Sequence, residues 1–153
     1  MLELHPYRPG DFQRLLEIDQ ACFVQGISYT AGEMRHFLNL SSAIRIVGEQ
    51  QGEVQGFIIA DKFRSRRSQQ SMGHIITIDV MAEARRNGLG SRLLEAVEMQ
   101  LREAGCAYVS LETAVDNLAA LKFYKKHGYT TLKVLPRYYL DSVDALMMGK
   151  KLT

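Results

Sequence analysis

The sequence predicts one α/β (α+β) domain over residues 1–153, with helices on both faces of a mixed β-sheet. The chain length is close to the commonest size of a single domain. Apolar residues alternate in several short segments and recur with a helical period in others. Strands joined by a hairpin come early, and a strand–helix–strand unit comes later. A sheet that holds both needs antiparallel and parallel neighbours.

The first third of the chain predicts a strand and two helices. Leu2, Leu4 and Pro6 indicate a short opening strand, and Asp11 is placed to cap a first helix. Thr30-Ala31-Gly32-Glu33 has the spacing of a capping box, which predicts the start of a second helix. Residues 24–29 between the helices are expected to form a loop. The apolar side of the first helix carries Phe12, Leu15, Leu16, Ile18 and Phe23.

The middle of the chain predicts three strands. Residues 43–49 and 54–62 are joined by Gln50-Gln51-Gly52, which is typical of a hairpin turn. Residues 64–71 are polar and basic, and we expect an exposed loop, with a contact to a substrate or a cofactor phosphate as the open alternative. Residues 75–80 form a β-branched run that is typical of a central strand.

The last part predicts two helices and three strands. A helix over 88–102 is expected to end at Gly105, and a strand over 107–112 follows it. Asp116 or Asn117 can cap the next helix, which should run to about His127 and stop at Gly128. Two closing strands are expected over 129–135 and 146–152. The periodic residues of the first of these helices are Leu89, Leu93, Leu94, Val97 and Leu101.

Composition excludes several classes of protein. A net charge of +2 is too small to indicate a nucleic-acid binder. Cys22 and Cys106 lie far apart without zinc-ligand spacing, so neither a metal site nor a disulfide framework is expected. The N-terminus does not resemble a signal peptide, and no apolar run is long enough to span a membrane. We therefore expect a reduced, cytoplasmic protein that binds neither nucleic acid nor membrane.

The segment 85–91 lies between a buried strand and an amphipathic helix. Gly88 and Gly90 let the backbone turn tightly and approach a ligand without obstruction by a Cβ atom. The helix that follows directs unpaired N–H groups at the turn, which suits a pyrophosphate. Walker and dinucleotide-binding patterns are excluded, because Ser91 follows Gly90 directly and position 93 is Leu. A purely structural turn stays open as an alternative.

The pattern Arg-x-x-Gly-x-Gly at Arg85, Gly88 and Gly90 resembles the acetyl-coenzyme A signature of the GNAT N-acetyltransferase superfamily. The resemblance implies a three-layer sandwich with a mixed, mostly antiparallel sheet of about seven strands and about four helices. It also implies acetyl-CoA as co-substrate, no metal, and a Val80 N–H that donates to the thioester carbonyl. Ile78, Asp79 and Val80 would line the pantetheine arm, and Arg85, Arg86, Asn87, Gly88, Leu89, Gly90 and Ser91 would hold the phosphates.

A carboxylate, an amide and a phenol follow the signature. Glu112 ends a predicted strand, Asn117 opens a helix, and Tyr124 lies two turns further along it. An amine must lose a proton before it attacks a thioester, and a carboxylate can accept that proton. A phenol can protonate the departing thiolate, since its ordinary pKa is about 10. Each residue also has a plain alternative: a solvated Glu, a core Tyr and a helix cap.

This segment resembles the RimI-like ribosomal-protein N-terminal alanine acetyltransferases and related archaeal enzymes. The matching residues are Leu111-Glu112, Asn117, Ala119-Ala120, Tyr124 and Gly128-Tyr129. By this resemblance Glu112 is the general base, Tyr124 the general acid and Asn117 a CoA contact. Tyr138 and Tyr139 would wall the peptide entrance. For His74, which precedes the central strand, we favour a structural or peripheral role and leave a proton relay open.

The sequence therefore predicts an N-acetyltransferase, monomeric or homodimeric, whose acceptor is a protein or peptide N-terminal α-amine. A small-molecule amine is the alternative, because residues 24–29 lack the proline-aromatic pattern common in the substrate loop of N-terminal acetyltransferases. A non-catalytic acyl-CoA-binding module is a third possibility. Binding alone needs neither a base nor an acid, so Glu112 and Tyr124 argue against it.

Overall fold

The computed structural model describes residues 1–24, 27–140 and 142–153. Within these ranges the chain forms a seven-stranded sheet and four α-helices, which confirms the predicted fold class. The strands are β1 (Leu2–Pro6), β2 (Ile44–Gln50), β3 (Glu53–Arg64), β4 (Ser71–Val80), β5 (Tyr108–Ala114), β6 (Thr130–Tyr139) and β7 (Val143–Lys151). The helices are α1 (Phe12–Cys22), α2 (Ala31–Leu38), α3 (Leu89–Glu103) and α4 (Leu118–Lys126).

The sheet is mixed and mostly antiparallel. Its strands lie in the order β1-β2-β3-β4-β5-β7-β6. Neighbouring strands pair antiparallel, except that β4 and β5 run parallel and are connected through α3. A parallel pair needs such a crossover, because both strands must start at the same end of the sheet.

Apolar side chains form a core on each face of the sheet. The larger core lies under α3, whose buried residues include the predicted periodic set Leu89, Leu93, Leu94, Val97 and Leu101. The smaller core lies under α1 and α2 and contains Leu15, Ile18, Met34, Leu38, Phe57 and Ile59. Helices, sheet and helices therefore form the three layers that the sequence predicts.

Helix capping agrees with the sequence at two of three places. The Thr30 hydroxyl accepts from Glu33 N–H at 3.1 Å, and Thr30 N–H donates to the Glu33 carboxylate at 2.9 Å, which completes the capping box. Asn117, and not Asp116, caps α4 by accepting from Ala120 N–H. Asp11 precedes α1, but its carboxylate accepts from Arg8 N–H instead of capping the helix. Asp11 ends a short 3-10 turn over Pro9–Asp11, so its carboxylate lies next to Arg8 at the start of that turn and not at the N–H groups of α1.

The early strands form two hairpins. Gln51 and Gly52 have φ angles of 55° and 80°, as the tight turn between β2 and β3 requires. The expected exposed loop over 64–71 is confirmed for residues 65–70, which form the turn of a second hairpin, while Arg64 and Ser71 at its ends pair as strand residues. β3 therefore ends two residues later, and β4 begins four residues earlier, than the apolar pattern of the sequence predicts.

The final hairpin is longer than predicted. β6 continues past Pro136 to Tyr139, which is tolerated because β6 lies at the edge of the sheet. Its pairing with β7 is irregular between Leu135 and Tyr139. The predicted loop over 24–29 contains Gln25 and Gly26, which lie outside the described residues. No helix in the described ranges is both long and apolar enough to cross a membrane.

Candidate active site

An opening between β4 and β5 dominates the centre of the sheet. The two strands pair only from Met72 to His74 on β4 and from Tyr108 to Ser110 on β5. β4 then continues to Val80 and β5 to Ala114 without further pairing between them. Their facing edges therefore carry backbone groups that a ligand can bind.

The backbone register of β4 turns its free N–H groups into this opening. Met81 N–H donates to Gln55 C=O across β3 at 2.8 Å, and Gly56 faces Val80 at the next position. Antiparallel partners alternate between hydrogen-bonded and non-hydrogen-bonded pairs. Val80 and Ile78 therefore direct their N–H groups away from β3. The Val80 N–H is thus available for the role that the sequence resemblance assigns to it.

A cavity of about 1060 Å³ fills the opening. Its floor comes from β4 and β5, one wall comes from the end of α1, the segment before α2 and the end of α2, and another comes from β6 and α4. Glu112, Asn117 and Tyr124 all line it, so the structure brings together the three groups that the sequence places at one site. Further lining residues include Phe23, Tyr29, Phe37, Ile78, Tyr138 and Tyr139.

Glu112 is held by a histidine. His74 Nε2 lies 2.8 Å from Glu112 Oε1, and the side chains are 33% and 17% exposed, so both reach the cavity. The contact joins β4 to β5 where they begin to separate. The sequence favours a structural or peripheral position for His74, whereas the structure places it directly against the predicted general base. An imidazole here can orient the carboxylate and exchange a proton with it.

Tyr124 projects from α4 with its ring in the core and its hydroxyl free. The ring packs at 5.4 Å from Phe123 and 5.8 Å from Tyr129, centroid to centroid. Its hydroxyl makes no hydrogen bond to any described residue. Burial, and then the negative charge of Asp79, raises the pKa of Tyr124. The phenol therefore keeps its proton at neutral pH and is available as a donor.

Three tyrosines line the cavity. Tyr138 and Tyr139 pack edge to face with centroids 4.9 Å apart. Burial and then the negative charge of Glu112 raise the pKa of Tyr138, while burial, then Tyr138 and then Glu112 raise the pKa of Tyr139. Tyr29 adds its hydroxyl, which donates to Ile76 C=O at 3.3 Å. Tyr29 was not singled out from the sequence, although it directly precedes the recognised cap of α2.

A strained backbone presents Tyr138 and Tyr139. Arg137 and Leu140 on either side of the pair have φ angles of 51° and 53°, which are unusual for residues other than glycine. Arg137 N–H donates to the Asp144 carboxylate at 2.9 Å instead of to a strand partner. Bulges of this kind re-aim side chains, and strain of this kind concentrates at functional sites.

The predicted phosphate turn lies beyond the end of β4. Arg85 Nε donates to Val80 C=O at 2.9 Å, which ties the turn to the strand. The exposed Asn87 side chain donates to the Gln50 amide oxygen at 3.2 Å, and Leu89 is fully buried, so Leu89 can offer a ligand only its backbone. Residues of the turn do not line the large cavity in the described parts of the chain. Their phosphate contacts stay a prediction.

The two glycines of the turn have different reasons to be glycine. Gly88 has a φ of 84° immediately before α3, in the left-handed region that favours glycine. Gly90 has no such angle, and a Cβ built on it would lie 3.4 Å from Phe123, which is ordinary contact. Neither conformation nor packing therefore explains Gly90. The predicted close approach of a cofactor phosphate to the start of α3 would explain it.

Two further predicted site residues contact other side chains in this structure, and their cofactor contacts stay predictions. Ser91, predicted to hold a phosphate, has its hydroxyl 2.9 Å from His127 Nε2. Asp79, predicted to line the pantetheine arm, is 1% exposed and faces α1, where Asp19 meets it. The sequence does contain a signal for Asp19, because it follows Leu15 by four residues and so lies on the buried face of α1. In the described ranges no cluster of three or more His, Cys, Asp or Glu could hold a metal ion.

Sequence comparison finds close relatives over nearly the whole chain. An uncharacterized N-acetyltransferase from Methanocaldococcus jannaschii is 39% identical over 149 residues, covering 97% of this chain and 90% of the relative. An N-alpha-acetyltransferase from Sulfurisphaera tokodaii is 31% identical over 150 residues, covering 91% of this chain and 90% of the relative.

Solved structures of acetyltransferases superpose on nearly the whole chain. The structure of Ard1 from Thermoplasma volcanium superposes with a TM-score of 0.88 at 29% identity and covers 99% of this chain and 98% of that chain. The ribosomal-protein-S18-alanine N-acetyltransferase from Escherichia coli, at 21% identity and a TM-score of 0.85, covers 100% of this chain and 95% of that chain and shares the fold. The Acetyltransferase (GNAT) family pattern matches residues 12–129, and the chain therefore belongs to the GNAT acetyltransferase family.

Proposed function

We propose that this chain transfers an acetyl group from acetyl-CoA to the α-amine at the N-terminus of a protein or peptide. The observation that carries the proposal is the convergence of Glu112, its partner His74 and Tyr124 on one cavity between β4 and β5. The similarity to an N-alpha-acetyltransferase over most of both chains supports the same acceptor class.

The backbone of the chain fits acetyl-CoA at two places. The N–H groups of Ile78 and Val80 face the opening, and the first turn of α3 directs its N–H groups at the turn around Gly88. When bound, acetyl-CoA supplies the thioester. Val80 N–H would donate to its carbonyl oxygen, and the N–H groups around the turn would hold the diphosphate. Asn117 lines the same cavity and is proposed to contact the cofactor.

The side chains handle the protons. Glu112 accepts a proton from the incoming amine, directly or through water, and His74 keeps the carboxylate oriented toward the cavity. Tyr124 donates a proton to the departing thiolate. No enzyme nucleophile is required, because the amine attacks the thioester itself. The site therefore divides the work between one base on β5 and one acid on α4.

The acceptor enters past the three tyrosines. Tyr29, Tyr138 and Tyr139 form a rigid aromatic wall with hydroxyl groups at its edge, which can bind a peptide backbone by stacking and hydrogen bonding. We further propose a cytoplasmic location, supported by the free thiols of Cys22 and Cys106.

A peptide panel tests the proposal. The purified chain is incubated with acetyl-CoA and either peptides of varied N-terminal residue or free small amines, and products are identified by mass spectrometry. Turnover of small amines alone would assign the chain to small-molecule acetylation. Binding of acetyl-CoA without any turnover would identify a non-catalytic module.

Glu112→Gln tests the base. We expect kcat to fall by roughly 10²- to 10⁴-fold, with acetyl-CoA binding unchanged. Glu49→Gln is a matched control, because Glu49 also lies against a histidine, His5 Nε2 at 2.5 Å, on the far side of the sheet. Equal activity of the two variants would remove Glu112 from the mechanism.

A further inference from the structure

Two buried carboxyl groups lie beside the cavity without a cation. Asp19 on α1 and Asp79 on β4 are each 1% exposed. Neither forms a salt bridge within the described residues. Asp19 accepts from Tyr29 N–H at 2.6 Å, and Asp79 accepts from the Thr77 hydroxyl. Each of these contacts uses one carboxyl oxygen.

The other oxygen of each carboxyl is unsatisfied unless a proton lies between them. Asp19 Oδ1 and Asp79 Oδ2 are buried and have no donor in the described parts of the chain. Cys22 lies three residues after Asp19 on α1, and its Sγ is 3.4 Å from Val80 C=O, so this side of α1 packs against the end of β4 that carries Asp79. A hydrogen bond between the two side chains also contributes to the raised pKa of Asp79. Two carboxylates cannot hydrogen-bond, because both only accept. A single proton on one of them supplies the missing donor and satisfies both orphaned atoms.

This contact links the two sides of the proposed reaction. Asp79 belongs to the strand whose N–H groups face the cofactor opening, while Asp19 fixes the backbone of Tyr29 in the acceptor wall. We propose that Asp19 and Asp79 are positioning residues that share one proton, and that this proton holds Tyr29 in place for the acceptor. The part of the proposal that concerns the acceptor rests on the proposed function.

The surroundings of the pair favour its protonated form. Burial, then the hydrogen bond with Asp19 and its charge, raises the pKa of Asp79 well above its usual range. The opposing groups are the Thr77 hydroxyl on the same strand and the Arg85 guanidinium, which lower it. Arg85 Nε donates to Val80 C=O, and its guanidinium forms no salt bridge with either carboxyl among the described residues.

Three other titratable groups face the pair. They are Cys22 on α1, Tyr29 before α2, and Tyr124 on α4. Burial raises the pKa of each, and negative charge raises it further: that of Asp79 for Cys22 and Tyr124, and those of Asp19 and then Asp79 for Tyr29. All three are neutral when protonated, so they supply no counter-charge near neutral pH. Because the folded pKa of Asp79 is raised, the stability that the shared proton contributes is complete below the ordinary Asp pKa. It is lost as pH rises toward the folded value.

Isosteric amides distinguish a shared proton from two independent acceptors. In Asp79→Asn the amide oxygen still accepts from Thr77 and the NH₂ donates to Asp19, so the donor no longer depends on pH. In Asp19→Asn the amide oxygen still accepts from Tyr29 N–H, and the NH₂ donates to Asp79. In the double variant both NH₂ groups face each other and neither finds an acceptor. Each single variant should therefore fold, and the double variant should be worse than the sum of the two.

The experiment combines unfolding, infrared and kinetic measurements. In urea unfolding from pH 5 to 9, the advantage of Asp79→Asn over wild type should grow by up to about tenfold in the unfolding equilibrium per pH unit. The wild type should show the carbonyl stretch of a buried protonated carboxyl, and Asp79→Asn should lack it. The KM for the acceptor peptide should rise at least tenfold in the double variant, while the KM for acetyl-CoA changes little.

Three results would overturn the proposal. They are a pH-independent difference between Asp79→Asn and wild type, additive effects in the double variant, or failure of both single variants to fold. Unfolding and infrared spectra need no acceptor. A chain that acetylates nothing would therefore refute the proposed function while still testing the shared proton.

Discussion

Gly90→Ala tests whether the turn before α3 binds the cofactor. Gly90 is the second residue of α3, and a Cβ there meets Phe123 at 3.4 Å, an ordinary van der Waals distance. Glycine is about 1 kcal/mol less favourable than alanine inside a helix. Without a ligand, the substitution should therefore leave stability unchanged or raise it by up to about 1 kcal/mol.

The same methyl group should weaken acetyl-CoA binding. If the diphosphate lies against the first turn of α3, a Cβ at Gly90 displaces it from at least one backbone N–H. A hydrogen bond to a charged group contributes about 1.5–3 kcal/mol. The Kd for acetyl-CoA should then rise by roughly 10- to 150-fold. Calorimetric titration measures this Kd directly, and thermal unfolding measures stability in the same preparation.

Gly32 is the matched control for Gly90, and Gly105 is the matched control for Gly88. Gly32 is the second residue of α2, is exposed, and has only the Thr30 hydroxyl near a built Cβ, at 4.0 Å. Gly32→Ala should match the stability effect of Gly90→Ala and leave Kd unchanged. Gly88 and Gly105 both have a φ of 84°, so alanine at either position should lower the free energy of unfolding by about 1–2 kcal/mol. A Gly90→Ala variant that binds acetyl-CoA as tightly as wild type would falsify the assignment of this turn.

Two further predictions concern hydroxyl groups. Tyr124→Phe should lower kcat by at least about tenfold while leaving the unfolding free energy nearly unchanged, because its hydroxyl has no hydrogen-bond partner among the described residues. Steady-state kinetics and urea unfolding check both halves, and a large stability loss would indicate a structural hydroxyl. Tyr129→Phe should leave kcat nearly unchanged and lower the free energy of unfolding by about 1–3 kcal/mol, because the buried Tyr129 hydroxyl donates to Glu98 at 2.7 Å. Unchanged urea unfolding of this second variant would contradict the reasoning.

Local patterns explain why much of the fold could be predicted. The capping box at Thr30 and Glu33 depends on residues three apart, and it forms as the spacing indicates. The period of α3 depends on residues three and four apart, and its apolar face is buried in full. Glu112 and Tyr124 could be paired because a strand end and the helix after it converge on one edge of a sheet. The resemblance then supplied their roles, which stay predictions.

Other features required the register of distant strands. The extension of β3 to Arg64 and the start of β4 at Ser71 depend on pairing across the hairpin, where Phe63 lies opposite Met72. The bulge at Arg137 likewise depends on Asp144 on the opposite strand. Pro136 suggests an earlier end to β6, because proline has no backbone N–H to donate. β6 is the last strand in the sheet order, however, and an edge strand tolerates a proline whose missing N–H would face solvent.

The sequence by itself determined the order of strands and helices, the caps at Thr30 and Asn117, and the glycine turn before α3. These depend on interactions within a few residues, where spacing and side-chain chemistry are sufficient. The tertiary structure alone decided that His74 holds Glu112 and that Asp19 meets Asp79. His74 and Glu112 lie 38 positions apart, and the parallel pairing of β4 with β5 brings them together. Asp19 and Asp79 lie roughly 60 positions apart, and the packing of α1 on the sheet brings them together.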